Sequence, residues 1–180
     1  MQDKKDNSIF LLAQARLQAY YKNADDFKIL KSLKGEKLKG IQYKPIFDDY
    51  KSHTNAFVIL VDSFVSTDDG TGIVHMAPAY GEDDYRICRQ SNIDIVDPLN
   101  EDCVFTEEIS WLKDKFCKDA DKEIISLLKT NDQLVHQSTI QHSYPFCERT
   151  DTPLIYRAID AWYVRVEDLR EKMINHNNKT

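Results

Sequence analysis

His75 and Asp84 are the residues of this 180-residue chain whose types and setting suit them to chemistry. A carboxylate holds a cation through charge-assisted hydrogen bonds, and an imidazole either moves a proton near neutral pH or limits the space beside it. Both stand within residues 70–85. There a short apolar run, Ile73-Val74, passes through His75, Met76, Ala77 and Pro78 to Gly81, Glu82, Asp83 and Asp84. Each has a plainer reading. Acids in a first helical turn complement the helix dipole, and a lone histidine ending a strand is commonly structural. Asp84 differs from its neighbours by its face. At about 100° per residue it lies with Ile87, Cys88 and Ser91, while Glu82 lies opposite, with Arg86 as an ordinary surface pair and Arg89 beside it. An inward carboxylate must be hydrogen-bonded, paired, or waiting for a cation. Nothing close in sequence supplies the cation, so a ligand ammonium group competes with a distant lysine or arginine. No second histidine stands at a metal-ligand spacing, since His53, His136, His142 and His176 are scattered, and no zinc site is expected.

The elements that must hold this pair follow from pattern. Residues 56–65 are rich in β-branched and aromatic types and read as a strand. Asp68-Asp69-Gly70 supplies a turn, and Ile73-Val74 would close a hairpin ending at His75. Proline lacks the amide donor, so the backbone leaves the sheet at Ala77-Pro78, and a helix begins near Gly81. Elsewhere, residues 8–14 read as a strand leading into a short helix through Tyr20. Residues 28–33 and 41–47 read as strands around a Lys34-Gly35-Glu36-Lys37 turn, and residues 93–97 as a short strand before a turn at 97–100. Residues 119–128 form the clearest helix, with Ile124, Leu127 and Leu128 inward. Residues 144–153 read as a loop, 154–166 as strand-like, and 167–174 as a helix ending in a polar tail at His176-Asn177-Asn178. These patterns define an α/β or α+β domain with a β-rich core.

Composition bounds the classes. At 42% apolar and 11% aromatic, the chain is long enough for one domain with a substantial single core. It has no run of eighteen apolar residues, and its first seven residues read as neither signal peptide nor anchor, so no membrane partner is expected. Cys88, Cys103, Cys117 and Cys147 form no Cys-x-x-Cys pair, which suits reduced thiols in a cytoplasmic setting. A net charge of −6 argues against strong free-standing affinity for nucleic acid. The local exception is Lys28, Lys31, Lys34, Lys37, Lys39 and Lys44, which read as a solvated hairpin edge or as a phosphate-contacting stretch. Trp162 and Tyr163 invite a base-stacking reading, but their apolar surroundings favour packing.

Residues 70–85 resemble the motif of the editing domain inserted into class I aminoacyl-tRNA synthetases of the isoleucyl, valyl and leucyl group. The His75-Met76-Ala77-Pro78 and Glu82-Asp83-Asp84-Tyr85 pieces are similar to the isoleucyl branch. Residues 118–125, 142–147, 152–158 and 162–166 also resemble isoleucyl-tRNA synthetase, nearest to the eukaryotic-type form, in family order and across nearly the whole chain. The fold implied is a β-barrel-like core with flanking helices.

The activity implied is hydrolysis of valine wrongly attached to the isoleucine tRNA. One methylene is worth only about 1–3 kcal/mol in an apolar pocket, a magnitude known from isoleucine–valine discrimination itself, so a second and smaller pocket must destroy the wrong product. By the resemblance, Asp84 holds the ammonium of the misattached amino acid. His75 limits the side-chain pocket close to the terminal ribose, and Gly72, Met76 and Ala77 complete the substrate-binding set. Water attacks the aminoacyl ester, and editing requires no cofactor or metal. ATP and magnesium belong only to the full-length synthetase. The implied partners are the 3′ end of isoleucine tRNA carrying valine, and the rest of the synthetase in cis.

The chain departs from the family pattern in several places. It has neither the threonine-rich Trp-Thr-Thr-Thr-Pro-Trp type segment that completes such a site nor the His-Ile-Gly-His and Lys-Met-Ser-Lys-Ser type signatures of ATP sites. The expectation is therefore a single editing-domain fragment over 1–180, with 167–180 leading back to the core and hydrolysis by the fragment alone weak or absent. Thr150 stands where some relatives pair a second cysteine with Cys147, which removes a metal reading there, and Glu148-Arg149 replaces a common Trp-Arg. The alternatives are a valyl or leucyl editing domain, against which His75-Met76-Ala77-Pro78 argues, and a non-catalytic tRNA-docking module.

Overall fold

The computed structural model describes residues 1–139 and 143–179. His142, which opens one of the segments resembling the synthetase, lies outside them. Strand β1 (Gln2–Asp3) pairs antiparallel with β2 (Phe27–Lys28), in register Gln2 with Lys28 and Asp3 with Phe27. Between them the chain runs extended through Ile9 into a single 3-10 turn, Gln14–Arg16, and helix α1 (Leu17–Tyr20), as the sequence suggests. Tyr21 Oη donates to the Asp3 carboxylate at 3.0 Å and fixes this corner.

Helix α2 (Glu82–Gln90) starts where the sequence places it. Gly81 is its extended N-cap, three acids fill the first turn and Arg89 the last, so both ends suit the dipole. Its inward face buries Ile87 and Cys88, which with Ile93 form one apolar cluster carrying Ala56, Val58, Leu60 and Met76 on its flank. Helix α3 (Asp121–Thr130) begins two residues later than the pattern predicts. It packs Ile124 against a second cluster built from Ile109, Leu112 and Ala120. Helix α4 (Arg170–Asn177) follows a 3-10 turn over Val166–Leu169 and has no buried residue.

Several expectations are corrected. Residues 56–65 do not form a hairpin with Ile73-Val74. They lie against residues 40–43 instead, through the Gly40 N–H to Ile59 C=O, Ile59 N–H to Ile41 C=O and Tyr43 N–H to Phe57 C=O bonds, each 2.9 Å. The reason lies in the turn, which is bonded to the N-terminal segment instead: the Ala13 N–H takes the Thr71 carbonyl, and Ile73 and Val74 are left exposed. No backbone hydrogen bond between described residues joins 28–33 to 41–47, because the chain between them does not turn tightly: Lys34–Lys37 runs into a 3-10 helix, Gly35–Leu38. The six lysines around it are all exposed. Residues 93–97 and 154–165 lie outside any helix or strand and have no ladder partners.

Regular β content therefore does not lead among the described residues. The one sheet has two strands, and five isolated bridges join other extended segments. Nor do the described residues form one substantial core, since burial falls into the two small clusters and the separate residues Leu17, Ala79 and Leu99. Trp162 and Tyr163, expected to pack, are 104% and 90% exposed.

Candidate functional site

The motif is held from below by the N-terminal segment. Arg16 reaches across the Asp68–Gly72 turn, its Nε donating to the Gly70 carbonyl at 2.8 Å and its Nη1 to the Asp68 carbonyl at 2.7 Å. The Ala13 N–H bonds the Thr71 carbonyl at 2.8 Å. A β-carbon on Gly72 would sit 2.5 Å from that of Ala13, so both space and a φ of +74° require glycine there. Gly72 thus sets the path of the chain toward His75 by packing on Ala13.

Beyond the turn, His75 is exposed and Met76 lies against the Ile87 and Cys88 cluster. The chain then folds back over the start of α2. The Ala77 N–H donates to Asp84 Oδ2 at 3.2 Å. Asp84 is half-buried on the face of Ile87 and Cys88, as its helical position predicts. Its carboxylate crowds Gly81, where an added β-carbon would lie 2.9 Å from Oδ2 and 3.0 Å from Cγ. Asp84 makes no salt bridge among the described residues. Burial pushes the Cys88 thiol up, and the charge of Asp84 adds to the shift. Asp84 and Ala77 are thus brought together, while no hydrogen bond between described residues joins His75 to either.

The expected Glu82–Arg86 pair is replaced. Arg86 forks onto Asp62 at 3.0 and 3.1 Å and reaches Asp83 at 3.0 Å, because residue 62 of the extended run lies alongside α2. This fork holds the Asp62 carboxyl below its ordinary value. It also satisfies the cation nearest in sequence to Asp84.

Sequence reasoning missed a second group. Tyr80 Oη donates to Asp97 Oδ1 at 2.6 Å, and Arg157 Nε donates to Asp97 Oδ2 at 2.5 Å. The remaining guanidinium nitrogens of Arg157 donate to the carbonyls of Asn100 at 2.6 Å and Leu99 at 2.5 Å. The next residue, Ala158, donates its N–H to the Ala79 carbonyl at 2.7 Å, and Ala79 is 1% exposed. Burial pushes the Asp97 carboxyl up, but hydrogen bonds from Tyr80, Arg157 and the Leu99 N–H outweigh it and hold the carboxyl below its usual value. Burial, then the bond to Asp97, pushes Tyr80 up. Tyr80 and Arg157 both lie in segments that resemble the synthetase. Only the fold, however, brings Arg157 onto a carboxylate 60 positions away.

Two clefts are present, the smaller beside this group and the larger apart from it. One of about 310 Å³ is lined by Tyr80, Leu99, Phe105, Cys117, Lys118 and Ile155, and one of about 520 Å³ by Lys44, Ile46, Asp48 and Asn131 among others. At the third resembling segment, the Cys147 N–H bonds the Thr152 carbonyl and the Asp151 N–H bonds the Cys147 carbonyl, each at 2.8 Å, closing a tight loop. Hydrogen bonding from Thr150 holds the Cys147 thiol low.

The chain aligns along its whole length with a segment of aminoacyl-tRNA ligases. The relatives are isoleucine–tRNA ligases. That of Bdellovibrio bacteriovorus is 44% identical over 183 aligned positions, covering 100% of this chain and 17% of the relative. The cytoplasmic enzyme of Mus musculus is 43% identical over 185, covering 99% and 15%. The cytoplasmic enzyme of Arabidopsis thaliana is 45% identical over 163, covering 87% and 14%. The chain thus corresponds to a segment of isoleucine–tRNA ligases and spans about one sixth of the length of these relatives. No protein-family model matches it. Among the described residues, no helix is long and apolar enough to cross a membrane.

Proposed function

We propose that this segment is the editing unit of an isoleucine–tRNA ligase and hydrolyses valine from misacylated isoleucine tRNA. The observation that carries the reading is the placement of Asp84. It is a half-buried carboxylate at the head of α2 that is bonded to the Ala77 N–H and free of any salt bridge among the described residues, within a chain homologous throughout to isoleucine–tRNA ligases. Asp84 is the anchor for the ammonium of the misattached amino acid. The Ala77 amide holds one carboxylate oxygen and so fixes the direction in which the other accepts the ligand.

Holding the ammonium fixes the ester carbonyl against an attacking water, and orientation of this kind accounts for much of a hydrolytic rate. Water adds to the ester carbon, the ribose oxygen leaves and takes a proton, and free valine departs with its new carboxylate. The exposed His75 bounds the side-chain pocket by its bulk and refuses isoleucine, with Met76 backed by the Ile87 and Cys88 cluster behind it. The reaction calls on no cofactor, and ATP and magnesium serve the activation step elsewhere in the complete ligase.

The partners proposed are the 3′ end of the tRNA and the rest of the ligase in cis. The exposed Ile159, Trp162, Tyr163 and Val164 support the second, because a strip of this kind needs a covering surface. The extended segments without ladder partners support a barrel-like core that is completed in the whole enzyme. Cytoplasmic placement follows from the same reading.

The test is deacylation of valyl- and isoleucyl-tRNA, both carrying the isoleucine anticodon, by the intact ligase and by Asp84→Ala. Loss of valine-selective hydrolysis in Asp84→Ala is expected. Equal hydrolysis by the variant, or none by the parent, overturns the proposal, and binding without hydrolysis would favour a docking module.

A further inference from the structure

The geometry points to Arg157, acting through Asp97 and Tyr80, as the positioning residue that sets the Ala77 amide under Asp84. This inference rests on the editing reading given above. The contacts close a ring. Arg157 holds one oxygen of the Asp97 carboxylate at 2.5 Å and Tyr80 holds the other at 2.6 Å. The Tyr80 N–H bonds back to the Ala77 carbonyl at 2.9 Å, and the Ala77 N–H points to Asp84. The ring returns through Ala158, whose N–H takes the carbonyl of Ala79, the neighbour of Tyr80.

Residues 77–80 are therefore gripped from two sides by adjacent residues of one segment, through the Arg157 side chain and the Ala158 backbone. Every nitrogen of the guanidinium is engaged, because the two not on Asp97 take the Leu99 and Asn100 carbonyls. A guanidinium held in this way is a rigid strut, where a lysine ammonium would be a pivot. Residues 77–81 belong to no helix or strand, so their position rests on these few contacts, and the strut is the one that ties the Tyr80 side chain to a distant segment. A misplacement of about 1 Å costs a hydrolytic site far more in rate than in binding. Arg157 touches no substrate in this scheme, and its effect reaches the site through the loop.

The experiment uses the intact ligase with Arg157→Met, Arg157→Lys and Tyr80→Phe. Deacylation kcat and KM, aminoacylation kcat, and hydrogen exchange of the peptide covering residues 76–86 are measured on each. For Arg157→Met the expected result is faster exchange in that peptide and a deacylation kcat lower by about tenfold or more, with KM for tRNA and aminoacylation unchanged. Tyr80→Phe should reproduce both effects more weakly. Arg157→Lys, which restores the charge without the fork, should recover only part of the rate. Unchanged exchange in the 76–86 peptide overturns the strut, and faster exchange with an unchanged deacylation kcat overturns its positioning role. If Arg157→Met loses aminoacylation as well, Tyr80→Phe decides by the same two readouts. A parent ligase that fails to deacylate overturns the editing reading, while exchange still decides whether the strut exists.

Discussion

The carboxylate of Asp84 occupies the space that a side chain on Gly81 would need, with Oδ2 2.9 Å from the position of the missing β-carbon. Gly81 is extended, with φ −165°, a conformation open to any residue, so this contact rather than the backbone makes glycine matter. The first turn of α2 thus packs the Asp84 carboxylate against its own N-cap.

Gly81→Ala should therefore separate stability from function. The clash falls on the end of a side chain that can rotate, and the capping position loses about 1 kcal/mol in going from glycine to alanine. Denaturant unfolding should show that modest loss, while the turned Asp84 carboxylate should give up the Ala77 amide and editing should fall. Unaltered valyl-tRNA hydrolysis in Gly81→Ala would mean that the carboxylate direction does not matter.

Asp84→Asn keeps an acceptor for the Ala77 N–H and removes the charge. Stability should hold close to that of the parent. Deacylation should fall by about thirtyfold or more, the factor equivalent to the ~2 kcal/mol of a hydrogen bond to a charged group. Thermal unfolding and single-turnover deacylation, measured together, check both halves.

His75→Ala removes an exposed side chain, so the melting temperature should not move. Its expected signature is a change in specificity: correctly charged isoleucyl-tRNA becomes a substrate once the bulk is gone. Continued refusal of isoleucine by this variant would assign the steric limit to another residue.

Acid should act through Asp97. Its folded carboxyl lies below the ordinary value of 3.8, held there by Tyr80 and Arg157 against the effect of burial. A lowered folded pKa gives stability that is fully present above the unfolded value and lost as pH falls through the folded one. Urea unfolding of the parent and of Asp97→Asn should differ by about 1–3 kcal/mol at pH 7, and the gap should close progressively below about pH 4. A gap that is constant down to pH 2 would remove the ion pair as its source.

The two tryptophans should behave differently toward a soluble quencher. Trp111 packs on Phe47 with ring centroids 5.6 Å apart, while Trp162 is fully exposed. Acrylamide should quench one component freely and the other poorly in this chain, and Trp162→Phe should leave only the protected one. In the intact ligase the Trp162 contribution, read as the difference from Trp162→Phe, should lose its free quenching if the proposed covering surface is present.

Much of the candidate site could be read locally. The start of α2, the inward face of Asp84 and the break at Ala77-Pro78 depend on helical period, end charges and a missing amide donor, all of which act within a few residues. The same holds for α3 and its Ile124 face. Strand pairing could not be read in this way. The apolar run 56–65 suits residues 41–43 and Ile73-Val74 alike by composition, and the turn between them is taken up by the N-terminal segment through the Ala13–Thr71 bond and the fit of Gly72 against Ala13.

The sequence by itself determined the chemical types, the helix that carries Asp84 and the likeness to isoleucine–tRNA ligases, because these rest on local period and residue identity. Only the tertiary structure decided the partners. It drew Arg86 to Asp62 rather than Glu82, joined Arg157 to Asp97 and Tyr80, and left Trp162 uncovered. Hydrogen bonds and burial depend on which distant segments meet in space, and the spacing of residues along a chain does not encode that meeting in any window short enough to read.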